Sequence, residues 1–142
     1  MGRFSSFLAA HLSAIVNIRW VRTSDRAVFV TAADSSHFLS VMQLLRSLRR
    51  VHSGSQIFFW DLGLEEKERR ILEVNFPTVH IRRFHFEDYP DYFRMHPSAG
   101  HYAWKPVIIR LMWEILQTED PYPRFLIWND AGNVFFRRVT WT

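Results

Sequence analysis

Three aspartates follow short apolar runs in this sequence: Asp34 after VFVTAA, Asp61 directly after IFFW, and Asp130 one residue after FLIW. If those runs are parallel strands, their ends lie along one edge of a sheet. Carboxylate oxygens there suit a hard cation such as Mg²⁺ or Mn²⁺, and with Lys or Arg nearby they suit a phosphorylated substrate. Asp is also a common turn and cap residue, so each aspartate taken alone reads as structural. Other chemistries lose their usual signatures. There is no GxGxxG after the first run, no GxxxxGK[ST] and no GxSxG. The seven histidines, His11, His37, His52, His80, His85, His96 and His101, show no HExxH or other tight ligand spacing. His80 and His85 flank a strand with arginines between them and read as surface residues. The chain has no cysteine, which removes thiol catalysis, disulfides and cysteine-based zinc sites.

The elements that must position these residues alternate. Residues 28–31 (VFVT) form a β-rich run that ends in Ala32 and Ala33. Asp34, Ser35 and Ser36 are good helix caps. Phe38, Val41, Met42, Leu45 and Leu48 then recur at helical spacing, and Arg46, Arg49 and Arg50 suit the helix's C-terminal end. Gly54 closes that unit. Residues 57–60 (IFFW) read as a strand covered on both faces. Residues 64–76 read as a helix that Pro77 ends, with Glu65 and Glu66 four residues before Arg69 and Arg70, and with Leu64, Ile71 and Leu72 on its apolar face. Residues 79–82 make a third strand, with a bulge as the alternative because the alternation slips before Phe84. Residues 87–101 form a long loop, a common place for function. Residues 102–117 (YAWKPVIIRLMWEILQ) read as a helix, apolar nearly all round and therefore buried, with Pro106 in its first turn. Residues 125–128 (FLIW) are a fourth buried strand.

This order predicts an α/β fold: a Rossmann-like, mostly parallel sheet of about four strands with three helices and right-handed crossovers. Ligands of such sheets bind beyond the carboxyl ends of the strands, where strand order reverses.

Composition agrees with one domain. The chain has 142 residues, 48% of them apolar and 23% charged, so disorder, collagen and coiled coil are excluded for the whole. Aromatics reach 16%, which implies a dense core or an aromatic surface awaiting a partner. The net charge is +4, from 16 Arg and 2 Lys against 14 acids. Arginine favours phosphate and carboxylate. No run of five like charges appears, and no RNA-binding motif is present, so no nucleic acid is expected. Residues 1–26 read as a disordered or loosely helical lead-in and residues 27–142 as the domain. FLAAHLSAIV (7–16) is too short to span a membrane and lacks a convincing signal cleavage site. MGRFSS fits the loose myristoylation pattern.

From residue 28 to residue 136 the chain resembles the donor-binding half of a type-A-fold nucleotide-sugar glycosyltransferase. It is most similar to the galactosyltransferase and glycogenin-like group and to related glycosyltransferase-like domains. In that group the first strand ends in small residues, an Asp and, three residues on, a Tyr; here Asp34 fits and His37 takes the aromatic place. The Ser-Leu pair of the next helix is matched by Ser47 and Leu48, and the basic residue of a later helix by Lys105 or Arg110. The family's Asp-x-Asp is met by WNDAGN, where Asp130 fits the first Asp and Gly132 stands in place of the second.

The resemblance implies that Thr31, Ala32, Asp34 and His37 line a nucleotide pocket. It implies that Lys105 or Arg110 meets phosphate, and that Asp130 binds Mn²⁺ or Mg²⁺ with Asn129 or Asn133 as a neutral oxygen donor. The ligand would be a nucleotide sugar, UDP-sugar first, in a Golgi or secretory-lumen or membrane-associated setting. No catalytic base is identified. The family's acceptor half normally follows the metal motif, so a truncated domain with little activity alone is expected. The fourth strand would then be an uncompleted edge open to self-association. Two other functions compete: a non-catalytic nucleotide or phospho-ligand module, and a basic, aromatic-rich interaction domain for protein or RNA.

Overall fold

The computed structural model describes residues 27–93, 102–119 and 123–139. The expected lead-in, its myristoylation pattern, and His96 and His101 of the long loop lie outside the described residues. Strand β1 (Ala27–Ala33) is buried along its whole length. A three-residue 3-10 turn (Ser35–His37) leads into α1 (Phe38–Val51), followed by β2 (Gln56–Asp61), α2 (Glu66–Asn75) and β3 (Val79–Arg83). Two further 3-10 turns, Phe86–Asp88 and Asp91–Phe93, precede α3 (Trp104–Leu116) and β4 (Phe125–Trp128). The four strands are all parallel, in the order β3-β2-β1-β4. This is the expected Rossmann-like α/β arrangement.

Two apolar layers flank the sheet. On one face Phe29, Ile57 and Phe59 pack with Val41, Leu44, Leu45 and Leu48 of α1 and with Leu72 of α2. On the other, Val28, Val30, Phe58 and Trp60 pack with Ile108, Leu111, Met112, Ile115 and Leu116 of α3. The alternating sides of β1 feed both layers, as a strand's period of two requires. Reversing the direction of the chain along the sheet while keeping one hand of crossover moves the next helix to the opposite face. That accounts for α1 and α2 on one side and α3 on the other.

Over the β2–β3 end of the α3 face, rings do the covering. Phe84 stacks on Tyr89 with centroids 5.0 Å apart, and Tyr89 stacks on Phe93 at 4.9 Å. Among the described residues most aromatic rings are thus buried or half-buried, with Tyr92, Tyr102, Trp113 and Phe136 exposed. The opposite face is closed by the segment after β4. The Phe135 N–H donates to Ser47 Oγ at 3.0 Å, and the Val139 N–H donates to His52 Nε2 at 3.2 Å. The Phe135 ring lies edge-on to Phe29 and His52. Ser47 and His52 are thus buried polar residues with stated work: they receive the returning chain.

Several expectations need correction. Ile71 sits on the open side of α2, whose buried residue is Leu72. Glu66 bonds both Arg69 and Arg70, while Glu65 forms the N-cap of a capping box with Glu68 and pairs with Lys67. His80 is not displayed on the surface; it is half-buried and stacks on Phe58 at 4.6 Å. Helix α3 is not buried all round, since Ile109 and Trp113 face outward, the latter 47% exposed. Strand β4 is half-buried rather than buried, because it is an edge of the sheet among the described residues. No helix of the described residues is long and apolar enough to cross a membrane.

The layered core gives a direct expectation. Leu45 is fully buried, so Leu45→Ala should lower the unfolding free energy by about 2–5 kcal/mol. Leu39, on the same helix but 80% exposed, should change it by less than about 0.5 kcal/mol on the same replacement. Urea denaturation followed by circular dichroism distinguishes the two. Equal losses would contradict the assignment of α1's buried face.

Candidate functional site

Strand order reverses once, between β1 and β4. The chain steps outward from β1 to β2 to β3, then returns through α3 to the other edge of β1. At such a reversal the helices leave on opposite faces and a crevice opens at the strand ends. Here the β1–β4 pairing stops before the β1–β2 pairing does. Pairing of β1 with β4 ends at Val30 and Trp128, with one more bond from the Asn129 N–H to the Val30 carbonyl at 2.8 Å. Pairing of β1 with β2 continues to Ala33, whose carbonyl accepts from the Leu62 N–H at 3.0 Å. Val30 thus turns its carbonyl toward β4 and Ala33 toward β2. By this alternation Ala32 turns its backbone amide and carbonyl toward the β4 side, beyond the last β1–β4 bond.

The β1 wall of the crevice is a compact polar cluster. Asp34 is extended, and its carbonyl accepts the His37 N–H at 3.1 Å. Its Oδ1 accepts from Ser36 Oγ at 2.6 Å and from His37 Nδ1 at 2.8 Å. Partial burial pushes the Asp34 carboxyl upward, but the hydrogen bonds from Ser36 and His37 outweigh it and hold the group below its ordinary value. An ionised carboxylate only accepts, so the proton on the shared ring nitrogen belongs to His37 Nδ1. In the neutral ring this leaves Nε2 as an acceptor on an exposed imidazole.

The β4 wall is built from α3 and the end of β4. Lys105, in the first turn of α3, donates from Nζ to Asp130 Oδ1 at 2.7 Å. The Trp128 indole N–H donates to the same oxygen at 2.8 Å. Around the ammonium stand three rings, Tyr102 at 5.2 Å, Trp128 at 5.4 Å and Trp104 at 5.9 Å, all within cation–π range. The hydrogen bond from Lys105 and then that from Trp128 hold the Asp130 carboxyl below its ordinary value. Asp130 stays in water, 65% exposed, while the lysine side chain is 28% exposed.

Of the residues expected at the site, the fold brings Ala32, Asp34 and His37 to one strand end and Lys105 with Asp130 to the neighbouring one. Ala32 offers only backbone, since its side chain lies in the α3-side core. Thr31 does not line the crevice: it is 1% exposed, inside the sheet, with no hydrogen-bond partner on Oγ1. Arg110 is engaged elsewhere, donating to Glu114 Oε1 at 2.8 Å one turn along α3. Of the two basic candidates, Lys105 is the one that bonds Asp130, and Arg110 bonds Glu114. Asp61 is a turn former. Its buried Oδ1 accepts the Gly63 N–H at 2.8 Å and the Leu64 N–H at 2.7 Å, and Gly63 at φ +134° completes the bend. Sequence reasoning missed the aromatic box. Its trace was Tyr102 and Trp104 beside Lys105, and Trp128 closing β4.

Asp130 alone is a poor fit for the divalent cation that the resemblance implies, because one of its two carboxylate oxygens is already engaged. Asp130 Oδ1 already holds two N–H donors, and one of them is a cation. Gly132 adds no ligand, although a Cβ there would meet nothing within 4 Å. Asn129 is buried and donates to the Ile127 carbonyl. Among the described residues no group of three or more His, Asp or Glu side chains is placed to hold a metal.

Two measurements check these roles. Asp61→Ala should cost about 1–3 kcal/mol in urea unfolding, because two turn amides lose their acceptor, and should leave the Lys105 and Asp130 NMR signals in place. A carboxyl whose folded pKa is depressed adds stability above its unfolded value, near 3.9, and that contribution disappears as pH falls through the lower folded value. In a carboxyl-carbon NMR titration, Asp130 should therefore titrate below the ordinary range in the wild type and move upward in Lys105→Met. An unchanged midpoint would show that the lysine does not hold the carboxylate.

No match is found among the curated proteins. A family described as a protein of unknown function (DUF1647) matches residues 7–110, a stretch that contains Asp34, His37 and Lys105 and stops before β4. That stretch is well over half of the 142 residues, and the chain accordingly belongs to the DUF1647 family of proteins of unknown function.

Proposed function

We propose that the crevice between β1 and β4 binds the nucleoside diphosphate of a nucleotide sugar, with a UDP-sugar the first choice, as the donor-binding part of a glycosyltransferase-like domain. The observation that carries this reading is the pairing of two unlike walls at one strand-order reversal. One wall has the free Ala32 backbone and the Asp34–His37 cluster, suited to a base and ribose. The other has a single well-held ammonium, Lys105, suited to phosphate. The exposed His37 ring gives a planar surface for a nucleobase. In sugar transfer from a nucleoside diphosphate, charge builds on the leaving diphosphate, and a fixed cation lowers that barrier. On this reading Lys105 does so. The resemblance in motif order from Asp34 to Asp130 supports the sugar-nucleotide class and, with it, a secretory-lumen setting.

Thermal unfolding with UDP, UDP-sugars, other nucleoside diphosphates and pyrophosphate tests the reading. At a concentration 100-fold above Kd, a ligand of the folded state adds about 2.7 kcal/mol, which appears as a rise of several degrees in Tm. UDP and a UDP-sugar should give such a rise, and Lys105→Met should abolish it. Stabilisation by pyrophosphate equal to that by UDP would instead indicate a general phospho-ligand module. No shift with any nucleotide would overturn the proposal.

A further inference from the structure

We infer that this crevice meets phosphate without a divalent cation, through the Lys105 ammonium, and that Asp130 is the positioning residue that holds that ammonium at the mouth. The inference rests on the reading above that the crevice takes a phosphorylated ligand.

A metal-binding aspartate must turn a free lone pair toward the ion. Asp130 Oδ1 instead accepts two N–H groups, from Lys105 at 2.7 Å and from Trp128 at 2.8 Å. A cation there would be left with the other oxygen, Oδ2, as its one carboxylate ligand from this residue, and it would sit beside the positive charge of Lys105. Mg²⁺ and Mn²⁺ also need several oxygens in a near-octahedral set. This turn supplies a glycine two residues on, Asn129 is buried, and Asn133 is left as the one exposed neutral oxygen donor of the two expected.

The surroundings of Lys105 serve an ammonium well. Tyr102, Trp104 and Trp128 stand around it at 5.2–5.9 Å and turn a long, flexible side chain into a fixed charge. An ammonium has three N–H donors, and the carboxylate takes one. The side chain is not fully enclosed, so the remaining donors can reach a phosphate oxygen at the mouth. The site then has one fixed positive charge where a metal site would have two.

The role of Asp130 separates this inference from metal binding in the sign of a mutant effect. Asp130→Asn keeps an oxygen that accepts from Lys105 and Trp128 and removes a negative charge near the phosphate. Asp130→Ala removes the acceptor. Calorimetric titration of the full chain with UDP and with pyrophosphate should be run in EDTA and again in Mn²⁺. Both anions should bind in EDTA with no gain in affinity from Mn²⁺. Lys105→Met should weaken binding at least tenfold. Asp130→Asn should stay within about threefold of wild type, while Asp130→Ala should weaken binding clearly. Near-ultraviolet circular dichroism confirms that each variant is folded, and the Lys105 Cε NMR shift should move in Asp130→Ala but not in Asp130→Asn.

Binding that appears only with Mn²⁺ and disappears in Asp130→Asn would overturn the inference and leave the nucleotide-sugar reading standing. Pyrophosphate binding in EDTA that depends on Lys105, without any UDP binding, would uphold the inference and overturn that reading. Failure of both anions under every condition would overturn both.

Discussion

Strand β1 has a partner on each edge and a helix layer on each face, and each of its seven residues is buried. Only apolar and small side chains fit such a position, and AVFVTAA supplies them. From this one enclosed strand the rest follows. Its alternating sides feed both cores, and its two edges set the strand order. The chain leaves along one edge and returns along the other, so the two neighbours diverge at the carboxyl end. The crevice is therefore a consequence of burying β1. The residues that line it need only be polar enough to stand at its rim.

The three aspartates show how one residue type takes three roles at neighbouring positions. Asp34 gathers Ser36 and His37 around one oxygen. Asp61 is drawn inside to satisfy two turn amides, and Ser35 takes part in the same joint by accepting the Glu65 N–H at the start of α2. Asp130 stays in solvent and fixes a lysine. Burial decides between these roles. A carboxylate inside the protein must have its oxygens filled by the protein's own donors, while one at the rim can share its field with a ligand.

Much of the fold was legible in the sequence because its strands are uninterrupted apolar runs and α1 has a clear stripe. Fully enclosed strands read as VFV or IFFW whatever their neighbours. The errors share a cause: apolar content shows that a residue can be buried, but not that the fold has a surface to bury it against. Ile71, Ile109 and Trp113 look like core, yet only one side of each helix meets the sheet. FLIW looks like an interior strand but has one partner among the described residues. Asp61 carried a local hint in the Gly63 two residues on, a turn signature that Asp130 partly shares through Gly132. The aromatic box had no local signature strong enough to read. It joins the start of α3 to the end of β4, and only the pairing of β4 with β1 brings them together.

That pairing has a temporal side. β1, α1 and β2 are close in sequence and can associate through short loops, whereas Val30 and Trp128 pair across most of the described chain. Contacts of long sequence separation form late, since their closure entropy must be met first. During synthesis the ribosome must release the β4 region before Trp128 and Asp130 can reach Lys105. Until then the crevice is missing one wall, and Val28, Val30, Phe58 and Trp60 lack their cover from α3. A ligand that needs both walls can therefore select only chains in which β4 has reached β1.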